Sequence, residues 1–331
     1  MSIEGRQLLL MLDEHVAVSG SVLAKRFGVT RAAIWKQIEI LRSHGAPIGV
    51  LAGKGYVLLS AVELLDARLM AAALPVASAE RIPDIDVCWQ VDSTSSELAR
   101  RSLVDSGKPT ACFAEIQTYG RGRRGRTWHT TLGGGLAFSI AWTFERSMST
   151  LAGLSLVIGI GVVRALRDLG YSDAGLKWPN DVQVQGRKLA GILVELLGDA
   201  LGPCRAIVGV GMNLRLGKSA DGLIDQAWID LASIPGVSLP DRNKLAARLL
   251  FRLQEAVDQF RDTTFASFAS EYAQYDVLGG RPVRVSTARG FQDGVATGVD
   301  ASGALLVNTK NGEMVVDSGE VSVRMRSEAD A

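Results

Sequence analysis

Apolar residues near the start of the chain recur every three to four positions, the period of a helix face. Leu8, Leu9 and Leu12 make the first stripe. Ser21 to Phe27 predicts a second helix with Val22, Leu23 and Phe27 facing inward, followed by a tight turn at Gly28-Val29. Thr30 stands as N-cap of a third helix running to about Ser43, with Ile34, Ile38 and Leu41 on its core face. The turn favours glycine, where positive φ is cheap, and the helices can approach at a small residue such as Ala24. Two short strand-forming runs follow, Ile48-Leu51 and Tyr56-Leu59, separated by Gly53-Lys54-Gly55. That order predicts a helix-turn-helix with a β-hairpin wing.

Beyond a connecting helix expected over Ala61 to Ala73, the pattern becomes mixed. Strands are predicted at Asp86-Val91, Thr110-Gln117, Leu136-Trp142 and Cys204-Val210, with a hairpin over Val182-Gln185 and Leu189-Leu196. Helices are predicted at Ser95-Asp105, Leu151-Leu169 and, capped by Asp241, from Arg242 to about Phe260. From Val277 the chain breaks into five short runs punctuated by glycine: Pro282-Ser286, Phe291-Val299, Ala304-Thr309, Glu313-Val316 and Val321-Arg324. The expected fold is therefore α+β and multidomain: a winged helix-turn-helix over residues 1–62, a mixed α/β domain over 63–275 and a small β-barrel over 276–331.

Composition sharpens this picture only locally. Charged residues are 21% and apolar residues 47%, an ordinary globular balance that excludes a disordered chain. Net charge is +1, so nucleic-acid binding has no support from the whole chain. Residues 1–60 differ, with seven Lys/Arg (Arg6, Lys25, Arg26, Arg31, Lys36, Arg42, Lys54) against four Asp/Glu (Glu4, Asp13, Glu14, Glu39). Cys88, Cys112 and Cys204 are scattered without metal-ligand spacing, which suits a reducing compartment. The longest apolar run, Leu151 to Val163, is thirteen residues and reads as a buried helix. With no signal-peptide pattern at the start, the expected location is the cytoplasm, without a membrane partner.

Four stretches carry candidate chemistry. Gly120-Arg-Gly-Arg-Arg-Gly-Arg-Thr-Trp128 places four arginines and three glycines in nine residues after a strand. Glycine lets backbone N–H groups approach an anion, and arginine offers planar, bidentate donors. A solvated basic loop or an RNA patch would share that composition. Lys177-Trp-Pro-Asn-Asp181 sets a cation and a carboxylate at a rigid turn, though a plain hairpin approach would read the same way. Lys188 opens the largely apolar run Leu189-Ala-Gly-Ile-Leu-Val194, near or inside the core wall, where it needs an anionic partner. In Asp92-Ser-Thr-Ser-Ser-Glu97, Thr94 and Glu97 have capping-box spacing. Gly209-Val-Gly-Met-Asn213 is not a dinucleotide fingerprint, because no helix follows.

Taken in order, GRGRRGRTW, KWPND, RKLAGILVE and GVGMN resemble the bifunctional biotin protein ligases of bacteria, within a likeness spanning Leu8 to Arg326. Arg31-Ala-Ala-Ile34 and Leu154-Ser-Leu-Val-Ile-Gly-Ile160 fit the same family. The resemblance implies ATP-dependent activation of biotin to biotinyl-5′-AMP with Mg²⁺, then transfer to a lysine of a biotin carboxyl carrier protein such as that of acetyl-CoA carboxylase. It implies that Ser93, Thr94, Gln117, Gly120, Gly191 and Leu193 hold biotin. Arg121, Arg123 and Lys188 would serve the carboxylate, the phosphates and catalysis. ATP would meet Arg123, Arg124, Arg126, Trp128, Lys177, Asn180, Asp181, Lys188, Asn213, Trp228 and Arg324, with Asp181 and Asn213 as candidate metal contacts.

The same resemblance implies a repressor that binds operator DNA as a homodimer when biotinyl-5′-AMP, its corepressor, is bound. Thr30, Arg31, Ala32, Trp35, Lys36 and the wing's Lys54 are the candidate DNA contacts. Two positions depart from the family pattern: Ser95 stands where asparagine is frequent, and Trp35 where a smaller polar residue is common. A ligand sensor with a dead catalytic domain would not need Arg121, Arg123, Lys177 and Lys188. Lipoyl or octanoyl transferases lack the arginine-rich loop, and an RNA-binding loop would carry interleaved aromatics.

Overall fold

The structure, a computed structural model, describes residues 5–75, 81–101, 108–217, 222, 224–287, 290–317 and 322–325. The N-terminal head consists of α1 (Gly5–Leu9), α2 (Gly20–Phe27), α3 (Arg31–Ser43) and the antiparallel pair β1 (Ile48–Leu51) and β2 (Gly55–Leu58). Ser19 and Thr30 cap α2 and α3, their hydroxyls accepting from Val22 N and Ala33 N. Gly28 takes the turn between them at φ 65°. Leu8, Leu9, Leu12, Leu23, Ile34, Ile38 and Leu41 are buried as expected. Val22 is not, being 56% exposed. At 100° per residue, the face defined by Leu23, Ala24 and Phe27 leaves Val22 one step outside it.

The head is packed on the rest of the molecule. Its core includes Ile116 and Leu132 from the central domain, with Trp89 against it. Leu132 N donates to His44 O at 2.8 Å at the end of α3. The connecting helix α4 (Ala67–Ala73) starts six residues later than expected, with Asp66 as its cap. Residues 61–66 are tied down instead by side chains. Arg242 donates to Glu63 O and to Gly135 O, and is ion-paired with Glu115 at 3.1 Å, both side chains almost fully buried.

The central sheet contains β3 (Asp84–Val91), β4 (Thr110–Gln117), β5 (Gly135–Phe144), β6 (Gly175–Lys177), β7 (Asp181–Val184), β8 (Arg187–Gly198) and β9 (Cys204–Asn213). Its order is β3-β4-β5-β9-β8-β7-β6, parallel only between β3 and β4. One face is covered by α6 (Leu154–Asp168) and α7 (Arg242–Asp262). The segment Met148–Asp168 is apolar enough to suit a bilayer by composition, yet it is a core helix. Val157, Ile158, Ile160, Val162 and Val163 are fully buried there. The other face carries the short helix α5 (Thr94–Arg100), over a small cluster of Leu98, Cys112, Ala141 and Ile207. Of the helix expected over Ser95–Asp105, residues 102–107 lie outside the described residues.

After α8 (Ala269–Tyr275) come β10 (Pro282–Thr287), β11 (Gly290–Val299), β12 (Leu305–Thr309), β13 (Gly312–Val316) and β14 (Ser322–Met325). These pair antiparallel in the order β13-β12-β11-β10-β14. Among the described residues this is an open five-stranded sheet, with β13 and β14 at its edges, rather than a closed barrel. Val283, Val285, Leu305 and Val307 continue the core of the central domain.

Candidate active site

Strand alternation builds the site. On β9, Val208, Val210 and Met212 enter the core, whereas Gly209, Gly211 and Asn213 line a cavity of about 700 Å³ on the α5 face. On β8, Ile192 is buried in the core and Gly191 and Leu193 line the cavity. Lys188 would break that rule. Strict alternation from Ala190 would point it into the core. A β-bulge intervenes: Val182 pairs with Ala190 but Gln183 pairs with Lys188, leaving Leu189 over. Leu189 and Ala190 both enter the core, and Lys188 turns onto the cavity side. Its Nζ lies 2.6 Å from Asp181 Oδ1, with both side chains largely buried.

The arginine-rich loop arches over this floor and returns through Trp128. The indole of Trp128 lies flat on the backbone of two glycines: a Cβ at Gly211 would collide with the ring, and one at Gly191 would come within 3.1 Å of it. Glycine at these positions is what admits the ring. Lys188 Nζ stands 5.6 Å from the ring centroid, and Trp128 Nε1 is buried without a hydrogen-bond partner. Gly120 is held close, its carbonyl oxygen accepting from Trp128 N at 2.8 Å. Arg123 is pushed below its ordinary value by burial, although nearby Asp181 opposes this. Arg121 lines the cavity and donates to Glu195 Oε2 at 2.6 Å. Arg124 sits at positive φ in the loop's turn, with Arg126 beyond it.

At the far end of the cavity the helix start differs from the expected capping box. Ser93 is the N-cap, without a side-chain cap bond. Thr94 is drawn away by better partners: its N donates to Gln117 Oε1 at 2.9 Å, and its hydroxyl pairs with Ser139 Oγ at 2.7 Å. Ser95 Oγ lies 2.9 Å from Ser139 Oγ. With Gln117 Oε1 occupied, its amide nitrogen is the group left to donate to a ligand carbonyl. Ser139 escaped the sequence reading; a lone hydroxyl in the apolar strand Leu136-Ala-Phe-Ser-Ile140 was its signal.

The opposite end is framed by the 177–181 turn. Asn180 Nδ2 donates to Ile192 O at 2.6 Å, and the buried Trp178 donates through Nε1 to Gly303 O at 3.0 Å. Lys177, Asn180, Asp181 and Trp228 all line the cavity. Trp228 is fixed by the backbone on both of its sides pairing with Lys188: Lys188 N donates to Ala227 O at 2.9 Å and Ile229 N to Lys188 O at 3.0 Å. Asn213 Nδ2 donates to Ile229 O at 3.1 Å, so its oxygen is the side of the amide that remains. Arg324 lies in β14 opposite Arg284, and its side chain is outside the described residues. Thr30, Arg31, Ala32, Trp35, Lys36 and Lys54 belong to the head and take no part in the cavity.

A hard cation with nucleotide phosphates needs only one or two protein oxygens. Asp181 Oδ1 is buried, and its charge is answered by Lys188 Nζ at 2.6 Å with Arg123 nearby. No group of three His, Cys, Asp or Glu occurs among the described residues. This donor set fits Mg²⁺ carried in by a nucleotide and does not fit a resident structural metal.

The chain is 36% identical to the bifunctional ligase/repressor BirA of Salmonella typhimurium over 317 residues, 96% of each protein. It belongs to the biotin protein ligase family. The BirA of Escherichia coli K12 is equally similar, at 36% over 318 residues. The biotin/lipoate A/B protein ligase family matches residues 88–213, a helix-turn-helix domain 5–57, and the biotin protein ligase C-terminal domain 278–324. A solved biotin protein ligase from Aquifex aeolicus, in complex with biotin and ATP, superposes with a TM-score of 0.64 at 30% identity, covering 73% of this chain and 99% of that one. Within the family frame, the glycines of β8 and β9 and the bulge at Leu189 are what bring the arginine loop, Lys188 and Asp181 around one cavity.

Proposed function

We propose that this chain activates biotin with ATP to biotinyl-5′-AMP and transfers the biotinyl group to a lysine of a biotin carboxyl carrier protein. The Lys188–Asp181 pair on a glycine floor beneath the arginine loop carries this reading. Biotin's ureido ring would lie at Thr94 and Gln117, with Ser93, Gly120, Gly191 and Leu193 around it. Its valeryl chain would run over Trp128 toward Lys188. ATP would take the end framed by Lys177, Asn180, Asp181, Asn213 and Trp228, with Arg324 approaching from the C-terminal sheet.

Two anions must meet before reaction, which is unfavourable unless cations neutralise them in a site with little water. Lys188 and Arg123 sit where the carboxylate and the α-phosphate would converge. Arg121, Arg124 and Arg126, carried on the same loop, would close over them. The carboxylate oxygen then attacks the α-phosphorus in line, and the P–O bond to pyrophosphate breaks. Magnesium, held by the phosphates and Asp181, with Asn213 as a second contact, would supply charge neutralisation for that leaving group. In the second step the neutral amine of the carrier's lysine attacks the biotinyl carbonyl, forming an amide and releasing AMP. The N-terminal head would bind a palindromic operator as part of a homodimer when biotinyl-5′-AMP is bound, coupling biotin supply to transcription.

Incubation of the protein with biotin, Mg²⁺ and α-labelled ATP should yield labelled biotinyl-5′-AMP on denaturation. Lys188→Ala should reduce its formation by about 100- to 1,000-fold, as for loss of one preorganised cation. An unchanged yield would remove Lys188 from the chemistry. Gel shifts with the chain's own upstream DNA, with and without biotin plus ATP, test the regulatory half. Ligand-independent behaviour would overturn it.

A further inference from the structure

The recognition helix carries an unusual reading face. At 3.6 residues per turn, Ala32, Trp35 and Lys36 share the outer side of α3, opposite the buried Ile34, Ile38 and Leu41. Trp35 is 59% exposed. The face is cationic around it: Arg31 and Lys36 are both exposed beside the indole. The carboxylate further along, Glu39, is answered by Arg42 at 2.8 Å. A large apolar ring flanked by cations suits a partner with a phosphate backbone and apolar groups within reach, which is duplex DNA.

The polar groups that commonly read adenine are turned elsewhere. A Cβ at Gly5 would come within 3.0 Å of Gln37 Nε2, so this amide faces α1 inside the head. The Thr30 hydroxyl is held at the helix start by its capping bond, its oxygen accepting from Ala33 N at 3.2 Å. The outer face of the first two turns therefore offers Arg31, which can pair with guanine, Lys36, and the apolar pair Ala32 and Trp35. In the major groove the one apolar mark on a base pair is the thymine 5-methyl group. We infer that Trp35, with the small Ala32 beside it, reads thymine methyl groups in the operator, and so sets A·T preference by apolar contact instead of by an amide. This rests on the head binding operator DNA.

The test is selection of duplexes from a randomised pool by the full chain with biotin and ATP, followed by replacement of each selected thymine with deoxyuridine. The wild-type protein should lose about fourfold in affinity at each contacted thymine, the transfer free energy of one buried methyl group. Trp35→Ala should bind thymine and uracil duplexes equally, while Trp35→Phe should retain the discrimination. Retained ligand-stimulated adduct formation by Trp35→Ala would show that the head alone is affected. Equal wild-type binding of both duplexes would overturn the inference, as would undiminished discrimination by Trp35→Ala. If the wild-type chain selects no duplex, the operator reading itself falls.

Discussion

Adjacent residues on one strand serve opposite ends in this molecule. Met212 of β9 is fully buried in the main core, whereas Gly211 beside it forms the floor under Trp128. One face of the sheet is built from large apolar side chains, whereas around the cavity the other presents glycine, hydroxyls and ions. The difference teaches where stability and chemistry are stored: a strand's period of two lets a single segment supply both without compromise on either face.

The comparison breaks most visibly at Gly211. A valine there would meet the Trp128 ring, and displacement of the loop by an ångström should lower adduct formation by at least about 100-fold. Melting should barely change, because the cavity face contributes little packing. Met212→Ala should do the reverse, costing about 2–5 kcal/mol in denaturant titration with near-normal turnover below the transition. Comparable activity losses in both variants would show that the faces are not separable.

A second test concerns the buried ions beneath the head. Arg242→Met strands the Glu115 carboxylate in the core and should cost about 3–5 kcal/mol. The double change Arg242→Met with Glu115→Leu should recover part of it, since no uncompensated charge then remains. No recovery would mean that the hydrogen bonds of Arg242 to Glu63 and Gly135 matter more than the ion pair. The smallest effect is expected at His44, whose imidazole burial holds below its ordinary value of 6.5. Its neutral form is favoured on folding, so that contribution is complete above pH 6.5 and is lost as pH falls through it toward the folded value. Melting of the head should therefore decline on acidification from neutrality, and His44→Gln should flatten that slope.

Much of this was legible in the residues. The head's three helices and wing follow from stripe spacing and from Thr30, and Asp241 marks the start of α7 as expected. The charged motifs named about half of the cavity's lining. What escaped was geometry that depends on a partner strand. The bulge at Leu189 exists only in pairing with β7, so the sequence leaves Lys188 at the core wall instead of in the cavity. Thr94 resembles a helix cap until Gln117 and Ser139, 23 and 45 residues away, compete for it. Val22 has apolar character but the wrong phase, which only the packed head reveals.

The indole of Trp178 has a consequence for how divisible the chain is. Its N–H ends on the Gly303 carbonyl, so the turn that positions Asn180 and Asp181 is completed by residues more than a hundred positions later. Severing the chain after α8 would expose the apolar surface beneath Val283 and Leu305 and leave a donor stranded in the interior. The C-terminal sheet is thus a brace for the turn that borders the cavity as much as an appendage, and inheritance of the first 275 residues alone would leave that turn without its support.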